Sequence, residues 1–187
     1  MSRRPPIYPV FIPNAGCPFQ CIYCDQYRVT AIKRNSSWVE QAISQVRSLA
    51  NQVQETAAFG EIAFYGGTFT GLPPRCLHQL LDLAQVYVDR GLFTGIRFST
   101  RPDFVDTDTL RYLARYGITT VELGIQSLSD TVLRSSRRGY NRKQALDAME
   151  LLRGHPWKMG VQLMLGLPSD TPQRFLASVE ATITARP

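Results

Sequence analysis

Gly16-Cys17-Pro18-Phe19-Gln20-Cys21-Ile22-Tyr23-Cys24 follows directly on a short β-rich run, residues 7–12, and this junction organises the whole chain. Three cysteines in a C-x₃-C-x₂-C loop crowd their thiols into one small volume, a poor geometry for disulfides and a good one for metal ligation. A structural zinc site usually draws on four protein ligands in two pairs. The fourth cysteine, Cys76, sits far along the chain at the start of an apolar helical face and reads as a small hydrophobe. Three thiolates instead suit a 4Fe–4S cluster whose fourth iron stays open to an exogenous ligand. Cys17, Cys21 and Cys24 are therefore the expected metal ligands.

Outward from the loop, β-rich runs alternate with helical ones. Strands are expected at residues 7–12, 61–65, 96–100, 121–126 and 161–165. Helical spacing of apolar residues recurs between them, first from Val39 to Ala50 behind Ser37-Trp38-Val39-Glu40, which has the form of a capping box. A second helix carries Leu77, Leu80, Leu81, Ala84 and Val88. A third follows an Asp106 N-cap and ends at Gly117, a fourth runs over residues 142–153 and stops at Gly154, and a fifth starts at Thr171-Pro172. This alternation predicts an α/β fold of parallel strands joined by right-handed crossovers. No G-x-G-x-x-G follows the first strand, so a curved partial barrel is preferred to a doubly wound sheet. At 187 residues the chain is shorter than a complete eight-unit barrel of about 250 residues. It reads as a single domain, 1–187, that stops straight after a helix where another strand is expected.

Composition narrows the function classes. Charged residues make up 19% and hydrophobic residues 44%, which is globular rather than disordered. The net charge of +6 is compatible with a polyanionic partner without requiring one. Neither a signal segment nor a membrane-spanning run is visible, and Arg3-Arg4 is followed at once by two prolines. The cytoplasm, where thiols stay reduced, is the default compartment.

Further motifs sit at the C-terminal ends of the expected strands, where βα barrels build active sites. Tyr65-Gly66-Gly67-Thr68-Phe69-Thr70 ends the second strand, and paired glycines let backbone approach a ligand closely, although such a pair is equally a plain turn. Period-two alternation puts Ser99 and Arg101 on one face, Glu122, Gly124 and Gln126 on another, and Gln162 with Met164. A structural reading pairs Glu122 with Arg101. Residues 134–143, RSSRRGYNRK, read as a solvated loop and helix start, or as a cationic surface for an anionic substrate such as RNA.

FIPNAGCPFQCIYC, FYGGTFTGLP, STRPDFV, VELGIQS, SRRGY and MLGLPSDT, in this order, resemble the radical S-adenosylmethionine (SAM) superfamily, most closely the radical SAM domain of the Elongator catalytic subunit and its shorter bacterial relatives. The resemblance implies a (βα)6-type partial barrel, and so a chain truncated before a sixth strand and less stable as an isolated monomer. It implies that the open iron binds SAM and that an external one-electron donor drives its cleavage to a 5′-deoxyadenosyl radical. It also implies cofactor contacts from Tyr23, Gly66, Gly67, Thr68, Ser99, Gln126, Arg138 and Gln162, with Arg138 matching an arginine near the SAM carboxylate. Thr68 stands where much of the family has Glu. The 187 residues hold no segment resembling the Elongator acetyltransferase domain and no second cysteine cluster. The resemblance leaves transfer RNA as a candidate partner and no role for a membrane. A coproporphyrinogen-oxidase-like small-molecule enzyme and a cluster-binding module without turnover are the alternatives.

Overall fold

The computed structural model describes residues 5–26, 37–57 and 59–187; Arg3 and Arg4 lie outside them. Five strands, β1 (Ile7–Phe11), β2 (Gly60–Tyr65), β3 (Phe93–Thr100), β4 (Ile118–Gln126) and β5 (Lys158–Leu163), form one sheet in the order β1-β2-β3-β4-β5. Every pairing is parallel. Neighbours in sequence are neighbours in the sheet, so the strand order never reverses. That is the order of an opening barrel and not of a doubly wound sheet, as the sequence leads one to expect.

The crossovers carry α1 (Trp38–Thr56), α2 (Pro74–Asp89), α3 (Thr107–Leu113), α4 (Asp130–Ser135) and α5 (Arg142–Arg153), and α6 (Pro172–Ala185) follows β5. Alternation along the strands turns Val10, Ile62, Phe64, Phe98, Val121 and Leu123 into one buried layer with Val46, Leu80, Leu113 and Met149 of the helices. Phe69 joins this layer, stacked on Phe64 with ring centroids 4.7 Å apart and tilted against Phe98 at 5.0 Å. Burial is least at β5, an edge strand, and at α6, where Leu176 and Ile183 are exposed. No helix among the described residues is long and apolar enough to cross a membrane.

Local chemistry sets the helix ends. Asp106 Oδ1 accepts from the Thr109 N–H at 2.8 Å, and Thr171 Oγ1 from the Arg174 N–H at 3.2 Å, so both expected N-caps form. Ser37 does not cap: its backbone (φ −67°, ψ 85°) lies outside the extended conformation that aims a hydroxyl at the third helical N–H. The capping box that does form joins Asn141 and Gln144 at the start of α5. Helix α4 replaces part of the expected loop over 134–143; at six residues it is too short for apolar periodicity to reveal.

Strands β3 and β4 both start three residues earlier than expected. Between them the register slips after Ile96, which opposes Ile118 while Arg97 opposes Thr120. Thr119 is the extra residue, and its side chain takes the space over Gly95, where an added Cβ would lie 2.1 Å from Thr119 Cγ2. Glycine in a strand normally reads as an interruption, and here it admits the bulge.

Candidate functional site

The helix-free face of the sheet is polar. Glu61 on β2, Arg97 on β3, and Glu122 on β4 form one ion-paired row, with Arg97 donating to Glu61 Oε2 and to Glu122 Oε1, each at 2.6 Å. The bulge delivers two more donors, since Thr119 and Thr120 hydroxyls both reach Glu61 Oε1, at 2.6 and 2.8 Å. Tyr65 Oη donates to Glu122 Oε1 at 2.9 Å and Gln162 Nε2 to Glu122 Oε2 at 2.7 Å. The Glu122–Arg101 pair of the structural reading does not form. Arg97 lies nearer along the same face, and Arg101, beyond the end of β3, turns back to bond Asp103 through Nε at 2.9 Å and Nη2 at 2.8 Å.

Above this row, at the C-terminal strand ends, lies a cavity of about 460 Å³. Cys17, Cys21, Cys24 and Tyr23 line one side of it; Gly66, Gly67, Thr68, Ser99, Gln126, Arg138 and Gln162 complete the wall. Every residue that the sequence analysis gives to the cluster or to SAM therefore borders a single space. Cys76 does not border it, and neither do the exposed Arg134 and Arg137. Lys143 is exposed as well and pairs with Asp147 one turn on, at 2.6 Å.

The cysteine loop and the Gly66-Gly67 loop are bonded backbone to backbone. Asn14 N–H donates to Gly66 O at 3.0 Å, and Thr68 N–H to Ala15 O at 2.8 Å. A Cβ on Gly67 would fall 2.2 Å from Ala15 O and 2.8 Å from Ile12 O, so glycine is needed for this approach. Gly67→Ala is expected to push the cysteine loop out of place: iron loading should fall severalfold while far-UV circular dichroism keeps its helical signal. Unchanged loading would contradict this role.

Each of the three sulfurs has a side-chain partner. Cys17 Sγ lies 3.1 Å from the hydroxyl of the fully buried Thr68, and Cys24 Sγ 3.7 Å from Asn14 Oδ1. Cys21 Sγ accepts from Arg138 Nη1 at 3.1 Å, and the same nitrogen donates to Tyr23 Oη at 3.0 Å. Burial, then the neighbouring Cys21 and Cys17 sulfurs, push the Cys24 thiol above its ordinary value. Crowding of this kind disfavours free thiolates and is relieved by cationic iron. Among the described residues no three cysteine, histidine or acidic groups converge on one metal ion. A cluster asks for something else, one thiolate at each of three separate irons, and thiols distributed around a shared cavity fit that demand.

Arg138 is buried, at 5% exposure. Its Nε donates to Tyr140 Oη at 2.9 Å, and its Nη2 to Gly124 O. Tyr140 in turn donates to Ile125 O at 2.7 Å; burial pushes its phenol up to about 12, against the pull of Arg138. Gln126 ends β4 in the left-handed region at φ 71°, a conformation costing about 1 kcal/mol or more outside glycine. Its side chain folds over Gly124, and its carbonyl accepts from Met164 N–H at 2.9 Å.

Tyr65, Asn14 and Phe19 also line the cavity and are not among the residues that the sequence analysis points to, whereas Arg101, which shares the strand-end face of Ser99, lines it too. For Tyr65 a signal existed: Glu61 and Tyr65 share the period-two face that carries Glu122 across the sheet. Nothing in the sequence marks Asn14 or Phe19, whose positions depend on how the loop folds back.

A family model described as the Radical SAM superfamily matches residues 11–181. The tRNA uridine(34) acetyltransferase of Dehalococcoides mccartyi is 28% identical over 190 residues, covering 86% of this chain and 41% of that protein. Elongator complex protein 3 of Schizosaccharomyces pombe is 29% identical over 164 residues, 77% of this chain and 29% of that one. The chain thus spans less than half the length of either relative. Among solved structures, coproporphyrinogen III oxidase (HemN) from Escherichia coli superposes with a TM-score of 0.69 at 20% identity, over 98% of this chain and 43% of that one, a likeness of fold.

Proposed function

The chain belongs to the radical SAM superfamily, a family of enzymes, and from that premise we propose that Cys17, Cys21 and Cys24 hold a 4Fe–4S cluster whose open iron takes SAM. The observation that carries this reading is the convergence of the three thiols, both strand-end glycines, Ser99, Gln126, Arg138 and Gln162 on one cavity. When bound and reduced by an external one-electron donor, the cluster would supply the electron that cleaves SAM to methionine and a 5′-deoxyadenosyl radical.

The chain's own residues then have definite tasks. The interlocked loops after β1 and β2 fix the three sulfurs against the cavity. Thr68, which stands where a carboxylate is common in the family, spends its hydroxyl on Cys17. The methionine end of SAM would therefore meet backbone groups of Gly66 and Gly67 rather than an acidic side chain. Ser99 and Gln126 offer hydroxyl and amide to the ribose. Gln162 is held by Glu122 and presents the rest of its amide toward the adenosyl group. Tyr65 keeps its proton at neutral pH, because burial and then its bond to Glu122 push its phenol up to about 12.

Relatives named for tRNA uridine acetylation and for Elongator make transfer RNA the substrate class we propose. The net charge of +6 agrees with a polyanionic substrate, and binding should weaken as salt rises. The test is anaerobic reconstitution followed by dithionite and SAM, with 5′-deoxyadenosine measured by chromatography. The expected result is 5′-deoxyadenosine that depends on both reductant and SAM. A protein with its cluster loaded that forms none, under conditions where a known family enzyme succeeds, would overturn the proposed activity.

A further inference from the structure

Behind Cys21 stand two buried guanidinium groups, and among the described residues Asp103 is the one carboxylate bonded to either of them. Arg101 and Arg138 are 4% and 5% exposed. Asp103 binds Arg101 through two hydrogen bonds, while Arg101 Nη2 reaches the Arg138 carbonyl and Arg101 Nη1 has no partner. The Arg101 guanidinium is sandwiched between aromatic faces, 5.1 Å from the Phe19 centroid and 5.2 Å from that of Tyr140. Arg138 bonds no carboxylate among the described residues. Four of its five N–H groups are committed, to Tyr140 Oη, Cys21 Sγ, Tyr23 Oη and Gly124 O. A buried cation without an anion is costly, and the Cys21 sulfur is the one proposed cluster ligand that Arg138 bonds.

The backbone is bent to make this contact. Arg137 and Gly139 on either side both have positive φ, 54° and 79°, and the Arg138 N–H is tied back to Leu133 O at 3.0 Å. The chain leaving α4 thereby turns one arginine inward while Arg137 stays exposed. With a single N–H left, Arg138 is poorly placed to serve as the principal clamp on a ligand carboxylate, the role implied by resemblance.

We infer that Arg138 is a positioning residue for the cluster ligand Cys21: its fixed guanidinium holds charge and a hydrogen bond on that sulfur and raises the cluster's reduction potential. This rests on the cluster reading proposed above. Reduction adds one electron to the cluster, and a neighbouring cation stabilises the more negative state. Hydrogen bonds to cluster sulfurs act in the same sense. Charge removal should therefore make the cluster harder to reduce.

The test is a redox titration followed by electron paramagnetic resonance on the anaerobically reconstituted chain. Arg138→Gln is expected to lower the ratio of reduced to oxidised cluster at a fixed solution potential about tenfold, equivalent to about 59 mV for one electron. Arg138→Lys, which keeps the charge and loses the fork, should recover part of that shift. Asp103→Asn removes the negative charge paired with Arg101 and should move the ratio the other way, by a smaller factor. General loosening of the fold would not give shifts of opposite sign. Equal potentials in Arg138→Gln and the unmodified chain would overturn the inference and leave the cluster reading intact. Should Arg138→Gln fail to keep its cluster, unchanged potentials in Arg138→Lys and Asp103→Asn would overturn it equally. No iron–sulfur cluster in the unmodified chain would instead overturn the reading on which it rests.

Discussion

Replacing Cys21 with alanine is expected to lower the iron and sulfide retained after anaerobic reconstitution by more than about tenfold. Loss even of a residue that only hydrogen-bonds a ligand commonly weakens a metal site about 10- to 100-fold, and Cys21 is itself a proposed ligand. Cys21 is the most buried of the three loop cysteines, at 6% exposure, and is the one tied to Arg138 and Tyr23. Its removal deletes a proposed ligand and also leaves a buried guanidinium facing an empty space. Cys17→Ala and Cys24→Ala should give losses of the same order. Cys76→Ala, which changes a half-buried residue at the start of α2 away from the cavity, should leave the iron content unaltered. Iron and acid-labile sulfide assays on the four variants decide the matter, and full loading in any of the three loop variants would contradict the ligand set.

Arg97→Met is expected to destabilise the fold by about 3 kcal/mol, the lower end of the cost of breaking a buried ion pair from one side. The lower end applies because the Arg97 side chain is 18% exposed, against 8% for Glu61 and 17% for Glu122. Methionine fills similar volume, so the deficit is mainly two carboxylates left without their cation. For a domain of this size the midpoint of thermal unfolding should fall by about 6–12 °C, measurable by calorimetry at neutral pH. A fall of under about 2 °C would show that water already screens the row.

The same network sets an acid dependence. Burial works against the charged form of Glu61, but hydrogen bonds from Thr119, Arg97 and Thr120, with the Arg97 charge, outweigh it and hold the carboxyl below its ordinary 4.5. A carboxyl depressed in the folded state stabilises fully above its unfolded value and loses that contribution as pH falls through the folded one. The unmodified chain should therefore lose stability below about pH 4.5. The gap to Arg97→Met should narrow in the same window, since unpaired carboxylates gain by protonation.

The cysteine loop and the strand-end motifs were legible because each is short, local and set at the end of a β-rich run. The sequential sheet order was legible too, from strand–helix alternation without a dinucleotide fingerprint. What escaped depends on contacts between strands. A structural reading pairs Glu122 with Arg101, one residue past the end of β3 on the right face; the register places Arg97 within reach first. Thr119 and Thr120 share Glu61 only because a bulge puts consecutive residues on one side, which period-two reasoning excludes. Ser37 has the right letters for a cap and the wrong backbone angles, whereas Asn141 caps within a stretch read chiefly for its positive charge. Arg138, which the resemblance makes a SAM contact, borders the cavity, but its bond to Cys21 spans 117 positions, and nothing in the local sequence announces it.

The central claim is that three cysteines of this chain hold a cluster with an iron open to SAM. It is tested most directly by low-temperature electron paramagnetic resonance of the reconstituted, dithionite-reduced protein, recorded before and after SAM is added. The expected result is the signal of one reduced 4Fe–4S cluster that changes shape on addition of SAM. Stoichiometric zinc with no such signal, or a cluster signal that SAM leaves untouched, would contradict it.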